Sequence, residues 1–211
     1  MPPACTCTSV DHVPRLIVLT GGPGAGKTAT LEVVQRELCG HVTVVPEAAS
    51  ILWKGGFPRR STELARRAAQ RAIARVQGEL QRLAVDEGSV ALVVCDRGVL
   101  DGLAYWPGEP DEFFAELGTT RAAELARYDL VIHLRPPQAD HGYQGDAVRV
   151  EDATEAARLD AAIERAWAGH PRHVVIASDD DFLHKLRVAV DLIRAEVPAC
   201  CQARAGRGAT A

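Results

Sequence analysis

Eight consecutive residues restrict the fold of this chain more than any other feature. Gly21-Gly22-Pro23-Gly24-Ala25-Gly26-Lys27-Thr28 fits G-x-x-x-x-G-K-[ST], the phosphate-binding loop that joins a strand to a helix. Both flanks agree with that placement. Residues 15–20 read Arg-Leu-Ile-Val-Leu-Thr, an apolar, β-branched run of strand length, and Leu31, Val34 and Leu38 recur at helical spacing beyond the loop. Glycines lack Cβ, so the backbone can curl and turn its N–H groups towards an anion, while the helix that starts near Lys27 adds the positive end of its dipole. In this motif Lys27 supplies a mobile charge for the β- and γ-phosphates, and the Thr28 hydroxyl is placed to ligate Mg²⁺.

Length and charge narrow the setting. At 211 residues the chain fits one α/β domain with a sizeable core. A net charge of −4 argues against a nucleic-acid coat protein, and no apolar run approaches the ~18 residues of a membrane span. Pro2 and Pro3 do not begin a basic-then-apolar leader, so a cytoplasmic protein is expected. Neither nucleic acid nor a membrane is an expected partner, and the sequence fixes no oligomeric state. Of six cysteines, Cys39 and Cys95 fall in or beside core elements and read as small buried residues. Cys5, Cys7, Cys200 and Cys201 fall in terminal segments without the C-x-x-C spacing of a zinc half-site, so neither metal nor disulfide is expected there.

The chain divides into a loose lead-in (1–14), a folded domain (15–197) and a tail expected to be disordered (198–211). A second strand over 41–45 ends at Pro46-Glu47, and a short helix follows over 48–54. If that strand is parallel to the first, Glu47 lies near the phosphates. There it could be a general base, a magnesium or substrate contact, or simply an acid at a helix start. A long helix from Ser61-Thr62 to about residue 87 has the apolar stripe Leu64, Ala68, Ile73, Val76, Leu80 and Leu83. Arg67, Arg71 and Arg75 share one of its faces and could meet an anionic substrate, although a solvated row is the commoner outcome; Gln70 is a possible substrate contact.

The run 89–95 is apolar almost throughout, as a buried parallel strand is, and ends at Asp96-Arg97-Gly98. Asp96 reads as a second magnesium anchor, or as a structural acid paired with Arg97; the Arg97 fork can reach a phosphate. A fourth strand over 129–134 contains His133, read as a core or edge histidine. Residues 135–150 are long, polar and irregular, with Pro136, Pro137, Gly142 and Gly145, and fit a lid. Arg149 at its end, and Arg158 in the next helix, would either neutralise a transferring phosphoryl group or pair with nearby acids such as Glu151 and Glu155. That helix (152–168) turns Ala156, Leu159, Ile163 and Trp167 inward. A fifth strand (173–177) and a last helix (179–197), with Phe182, Leu183, Leu186, Val190 and Ile193 facing the sheet, complete the domain.

Five strand signals alternating with helices argue for a parallel sheet covered on both faces. The ordered set Gly21 to Thr28, Pro46-Glu47-Ala48-Ala49, Asp96-Arg97-Gly98 with Asp101 and Tyr105, and Asp146 with Arg149 resembles the small P-loop proteins of the AAA_28 type. These include the ribosylnicotinamide kinase module of bacterial NadR proteins. The wider resemblance is to nucleoside and nucleotide kinases of the thymidylate-kinase kind. It implies a P-loop three-layer sandwich, strand order 2-3-1-4-5, and ATP with Mg²⁺ as cofactors. Glu47 and Trp53 look like the base and tryptophan of deoxynucleoside kinases, although Gly98 stands where those enzymes carry Ser.

The expected activity is therefore phosphoryl transfer from ATP to a small hydroxyl-bearing, nucleoside-like acceptor. Lys27, Arg149 and the loop amides would hold phosphates; Thr28 and Asp96 would hold Mg²⁺; Glu47, or failing that Asp96, would take the hydroxyl proton. The rival is an ATPase or GTPase switch that signals to a protein. A kinase needs a second pocket lined by Glu47, Trp53, Gln70 and Arg97, and a switch does not. The chain has no N-K-x-D guanine signature, which favours ATP.

Overall fold

The computed structural model describes residues 12–87, 90–137, 153–178 and 181–202. The elements run β1 (Arg15–Thr20), α1 (Lys27–Glu37), β2 (Val42–Val45), α2 (Ala48–Lys54), α3 (Glu63–Asp86) and β3 (Leu92–Asp96). A 3-10 helix (Val99–Ala104) precedes α4 (Pro110–Leu117), α5 (Arg121–Ala126) and β4 (Leu130–Leu134). Then come α6 (Ala153–Ala166), β5 (His173–Ile176), α7 (Phe182–Ala195) and α8 (Ala199–Gln202).

The five strands are parallel, in the order β2-β3-β1-β4-β5. This is the P-loop arrangement that the family resemblance implied. Strand alternation sends Ile17 and Leu19 to one face and Val18 to the other, so each face needs its own cover. One core layer joins Ile17, Leu19, Leu92 and Ile132 to Leu31 and Val34 of α1 and Val190 and Ile193 of α7. The opposite layer joins Val18, Val93 and Val131 to Phe113 of α4 and Ile163 of α6, with Trp167 just beyond that helix. Among the described residues no helix is long and apolar enough to cross a membrane.

Three expectations are corrected. The stripe assigned to α3 is out of phase: Leu64 is 77% and Leu83 56% exposed, while Ala69, Gln70, Ala74, Gln77 and Gln81 are buried. Two of the inward glutamines satisfy polar groups that aliphatic side chains could not. Gln77 Oε1 accepts from Ala48 N–H at the start of α2 (3.3 Å), and Gln81 Nε2 donates to Tyr128 Oη (3.1 Å).

The last helix starts later than expected. Asp181 accepts from the N–H groups of Leu183 and His184 and so fixes the N-terminus, leaving Phe182 and Leu183 43% and 65% exposed. The folded unit also continues past Val197, because α8 buries Cys201 against the α1–α7 layer.

Candidate functional site

The loop between β1 and α1 is shaped by close approach. Gly21 has φ +132°, and a Cβ there would lie 2.0 Å from the Leu134 carbonyl oxygen, so only glycine fits beside β4. Gly26, at φ +96°, caps α1, and Lys27 is the first residue of that helix. Lys27 is buried, and its Nζ donates to the carbonyls of Gly21 (2.8 Å) and Gly22 (3.0 Å). Burial, then the positive Arg97, push its pKa down to about 7 against the pull of Asp96, Glu47 and Asp101. Thr28 is exposed on the first turn of α1.

The parallel registers bring the acids to the same edge. Leu19 of β1 pairs with Asp96, and Val45 of β2 pairs with Cys95, so the ends of β2 and β3 flank the P-loop. There Arg97 Nε donates to Glu47 Oε1 at 2.7 Å, and Arg97 Nη1 donates to the Gly21 carbonyl at 3.3 Å. Arg97 is the one non-glycine residue with positive φ (71°) among the described residues, held by its N–H to the Leu19 carbonyl. The left-handed turn aims its side chain between Glu47 and the loop.

Glu47 also accepts from Ser50 Oγ. Burial pushes the Glu47 carboxyl up, but Arg97, Ser50 and Lys27 outweigh it and hold the group below its usual range. Asp96 goes the other way. Burial and the nearby Glu47 raise its pKa despite Lys27 and Arg97, and its Oδ1 is buried with no hydrogen-bond partner among the described residues. A buried carboxylate oxygen without a donor among the described residues, at the strand end next to the P-loop, fits a hard cation such as Mg²⁺. Glu47, Asp96 and Asp101 together outnumber the cations Lys27 and Arg97 by one charge when all are ionised, which also favours a cation here.

Asp101 is committed to the scaffold. Its Oδ1 accepts from Thr20 Oγ1 and Trp167 Nε1, both at 2.7 Å, and its Oδ2 from Gly98 N–H at 3.3 Å. Next to this cluster opens a cavity of about 470 Å³ whose lining includes Pro23, Glu47, Trp53, Gln70, Arg97 and Tyr105. Pro23 makes the cavity continuous with the P-loop. Arg59 stacks over the Trp53 ring at 5.8 Å near its mouth.

Not every named residue joins the site. Arg67 pairs with Glu63, Glu112 and Glu116, and Arg71 with Glu116, so these two arginines bind their own protein. Arg158 is held by Glu155 at 2.6 and 2.7 Å. Arg149, Asp146 and the expected lid lie outside the described residues.

One important residue was not singled out from the sequence. Asp160 of α6 accepts from Gly22 N–H in the P-loop (2.7 Å), pairs with His133 Nε2 (2.8 Å) and receives Arg135 Nη1 (3.3 Å). It lies one helical turn after Ala156 and three residues before Ile163, so an acid inside an apolar stripe was the available signal. His133 is a fully buried core residue, as read from the sequence, and Asp160 is its partner.

Comparison with known proteins agrees with this fold. No curated protein sequence matches the chain. Among solved structures, thymidylate kinase from Ehrlichia chaffeensis shares the fold at a TM-score of 0.54 and 13% identity, over 85% of this chain and 98% of that one. A model of the family AAA_28, described as an AAA domain, matches residues 16–184. That span is most of the chain, and the chain belongs to the AAA_28 family of P-loop AAA domains.

Proposed function

We propose that the protein is an ATP- and Mg²⁺-dependent phosphotransferase that phosphorylates a small, hydroxyl-bearing, nucleoside-like acceptor. The observation that supports this most is the cavity continuous with the P-loop, lined by Glu47, Trp53, Gln70 and Arg97. A hydrolytic switch has no need of a second small-molecule pocket with an ionised carboxylate at its floor. The shared fold with a protein titled a kinase supports the same reading.

In this reading Lys27 and the loop N–H groups receive the β- and γ-phosphates, with Arg149 as a further phosphate contact. Thr28 and Asp96 would hold Mg²⁺, which supplies charge neutralisation at the transferring phosphoryl group. The acceptor hydroxyl gives its proton to Glu47 as its oxygen bonds to the γ-phosphorus, and the bond to the β,γ-bridging oxygen breaks to release ADP. Glu47 is held ionised by Arg97 and Ser50, so it can accept that proton at neutral pH, though its lowered basicity limits the driving force. Most of the rate comes from positioning and charge neutralisation. Asp96, with its raised pKa, is the alternative base.

The test is ATP turnover with Mg²⁺ across a panel of nucleosides and ribosides, with products read by mass. A phosphorylated acceptor is expected. Slow hydrolysis unchanged by every acceptor would contradict the kinase and favour a switch.

A further inference from the structure

At the opposite edge of the sheet from the P-loop, three side chains with soft or borderline donors meet. His12 lies three residues before β1, His41 immediately before β2, and Cys201 within α8. We propose that His12, His41 and Cys201 form a binding site for a zinc-class divalent transition metal. Their ligand atoms all lie within 4.8 Å of one another. His41 Nδ1 is 3.2 Å from Cys201 Sγ, and His12 Nε2 is 4.0 Å from it. Zn–S and Zn–N bonds of about 2.3 and 2.0 Å at a tetrahedral angle place S and N roughly 3.5 Å apart, between those two distances.

The donor set also selects the metal. One thiolate and two imidazoles suit Zn²⁺ and its neighbours and do not suit Mg²⁺ or Ca²⁺, so the site is chemically distinct from the oxygen donors Asp96 and Thr28 proposed for Mg²⁺. Three protein ligands leave a fourth position for water. Binding releases the Cys201 thiol proton to solvent as the thiolate bonds to the metal.

The ligands come prearranged. The His41 carbonyl accepts from Ala91 and Leu92 N–H groups (2.8 and 3.1 Å), which anchors its backbone to β3. Cys201 is buried in the α1–α7 layer, and its N–H donates to the Pro198 carbonyl at 2.8 Å. The His12 and His41 rings meet edge to face at 4.9 Å. A bound ion would therefore tie α8 to the amino ends of β1 and β2. Six-residue β1 separates this edge from the P-loop by roughly 20 Å, so the metal acts on stability and not on the phosphates.

The test uses the full chain, stripped with a chelator and titrated with Co²⁺ in the absence of nucleotide. One equivalent should bind with a thiolate-to-cobalt charge-transfer band that Zn²⁺ abolishes, and Zn²⁺ should raise Tm. Cys201→Ser should abolish the band, and His41→Ala and His12→Gln should each weaken binding on the order of 100-fold. The partly exposed His12→Gln variant should keep nucleotide binding, which separates a lost metal site from a lost fold. Absence of Co²⁺ binding to the wild type overturns the proposal. So does a band that survives His41→Ala and His12→Gln but is lost when Cys5 and Cys7 are replaced.

Discussion

The P-loop has two walls, each with a buried aspartate, and they differ in how completely that aspartate is paired. On the β4–α6 side, Asp160 uses both oxygens, taking a loop amide and His133 on one and Arg135 on the other. On the β2–β3 side, Asp96 has a buried oxygen without a donor among the described residues, Arg97 sits in a left-handed turn, and Lys27 is pushed down to about 7. Both walls contain carboxylates, yet neighbours hold Asp160 below, and burial pushes Asp96 above, the ordinary aspartate range. For Asp160, burial opposes the shift and the His133, Gly22 and Arg135 contacts outweigh it. An aspartate paired through both oxygens marks the wall that holds the loop in shape. The unpaired Asp96 oxygen and the strained Arg97 mark the wall that would meet phosphate, metal and acceptor in the proposed function.

The contrast breaks most sharply at Lys27. Lys27→Ala should cost on the order of 10³-fold in turnover, with Tm nearly unchanged or higher because a buried charge is removed. Steady-state kinetics and a melt check this together.

Substitution of the two aspartates should move stability in opposite directions. Asp160→Asn takes an ionised acceptor from Gly22, His133 and Arg135 and should cost about 1–3 kcal/mol, roughly 2–4 °C of Tm per kcal/mol for a chain of this size. Because the folded-state pKa of Asp160 is lowered, its contribution is present above the unfolded aspartate value and is lost as pH falls through the acid range. Asp160→Asn should flatten that acid-side loss.

Asp96→Asn should stabilise by up to about 1 kcal/mol while reducing Mg²⁺-dependent activity, a stability–function trade-off. The raised pKa of Asp96 means its ionisation opposes folding as pH rises through that value. If both variants destabilise equally, the two walls do not differ as described.

The smallest effect is protonic. Lys27 titrates near 7 before binding, and a bound triphosphate raises that value. Between the two values binding takes up a proton, so affinity is full below about 7 and declines as pH rises towards the bound-state value. Calorimetry at about pH 8 in buffers of different ionisation enthalpy should show uptake of up to one proton. A heat independent of buffer would contradict the shift.

The scaffold wall was the harder one to read from sequence. The strand–glycine loop–helix unit, the five strands and the convergence of Glu47, Asp96 and Arg97 follow from local patterns: an apolar run, a turn, a polar residue at a strand end. Asp160 and the inward glutamines of α3 break those patterns, because their burial depends on partners far away in the chain, such as Gly22 and Tyr128. Cys201 is similar: its burial needs the α1–α7 layer, which a reading of the tail alone does not contain. Phe182 fits a helical stripe, but the Asp181 cap sets the phase that leaves it exposed beside Gly26.

The most direct test follows the γ-phosphate. ATP with an isotope-labelled γ-phosphate, Mg²⁺ and a nucleoside and riboside panel should yield label in an acceptor. Glu47→Gln should reduce that product by about 10²- to 10⁴-fold while nucleotide binding survives. Label recovered only as inorganic phosphate, at a rate that neither the acceptors nor Glu47→Gln changes, would contradict the account.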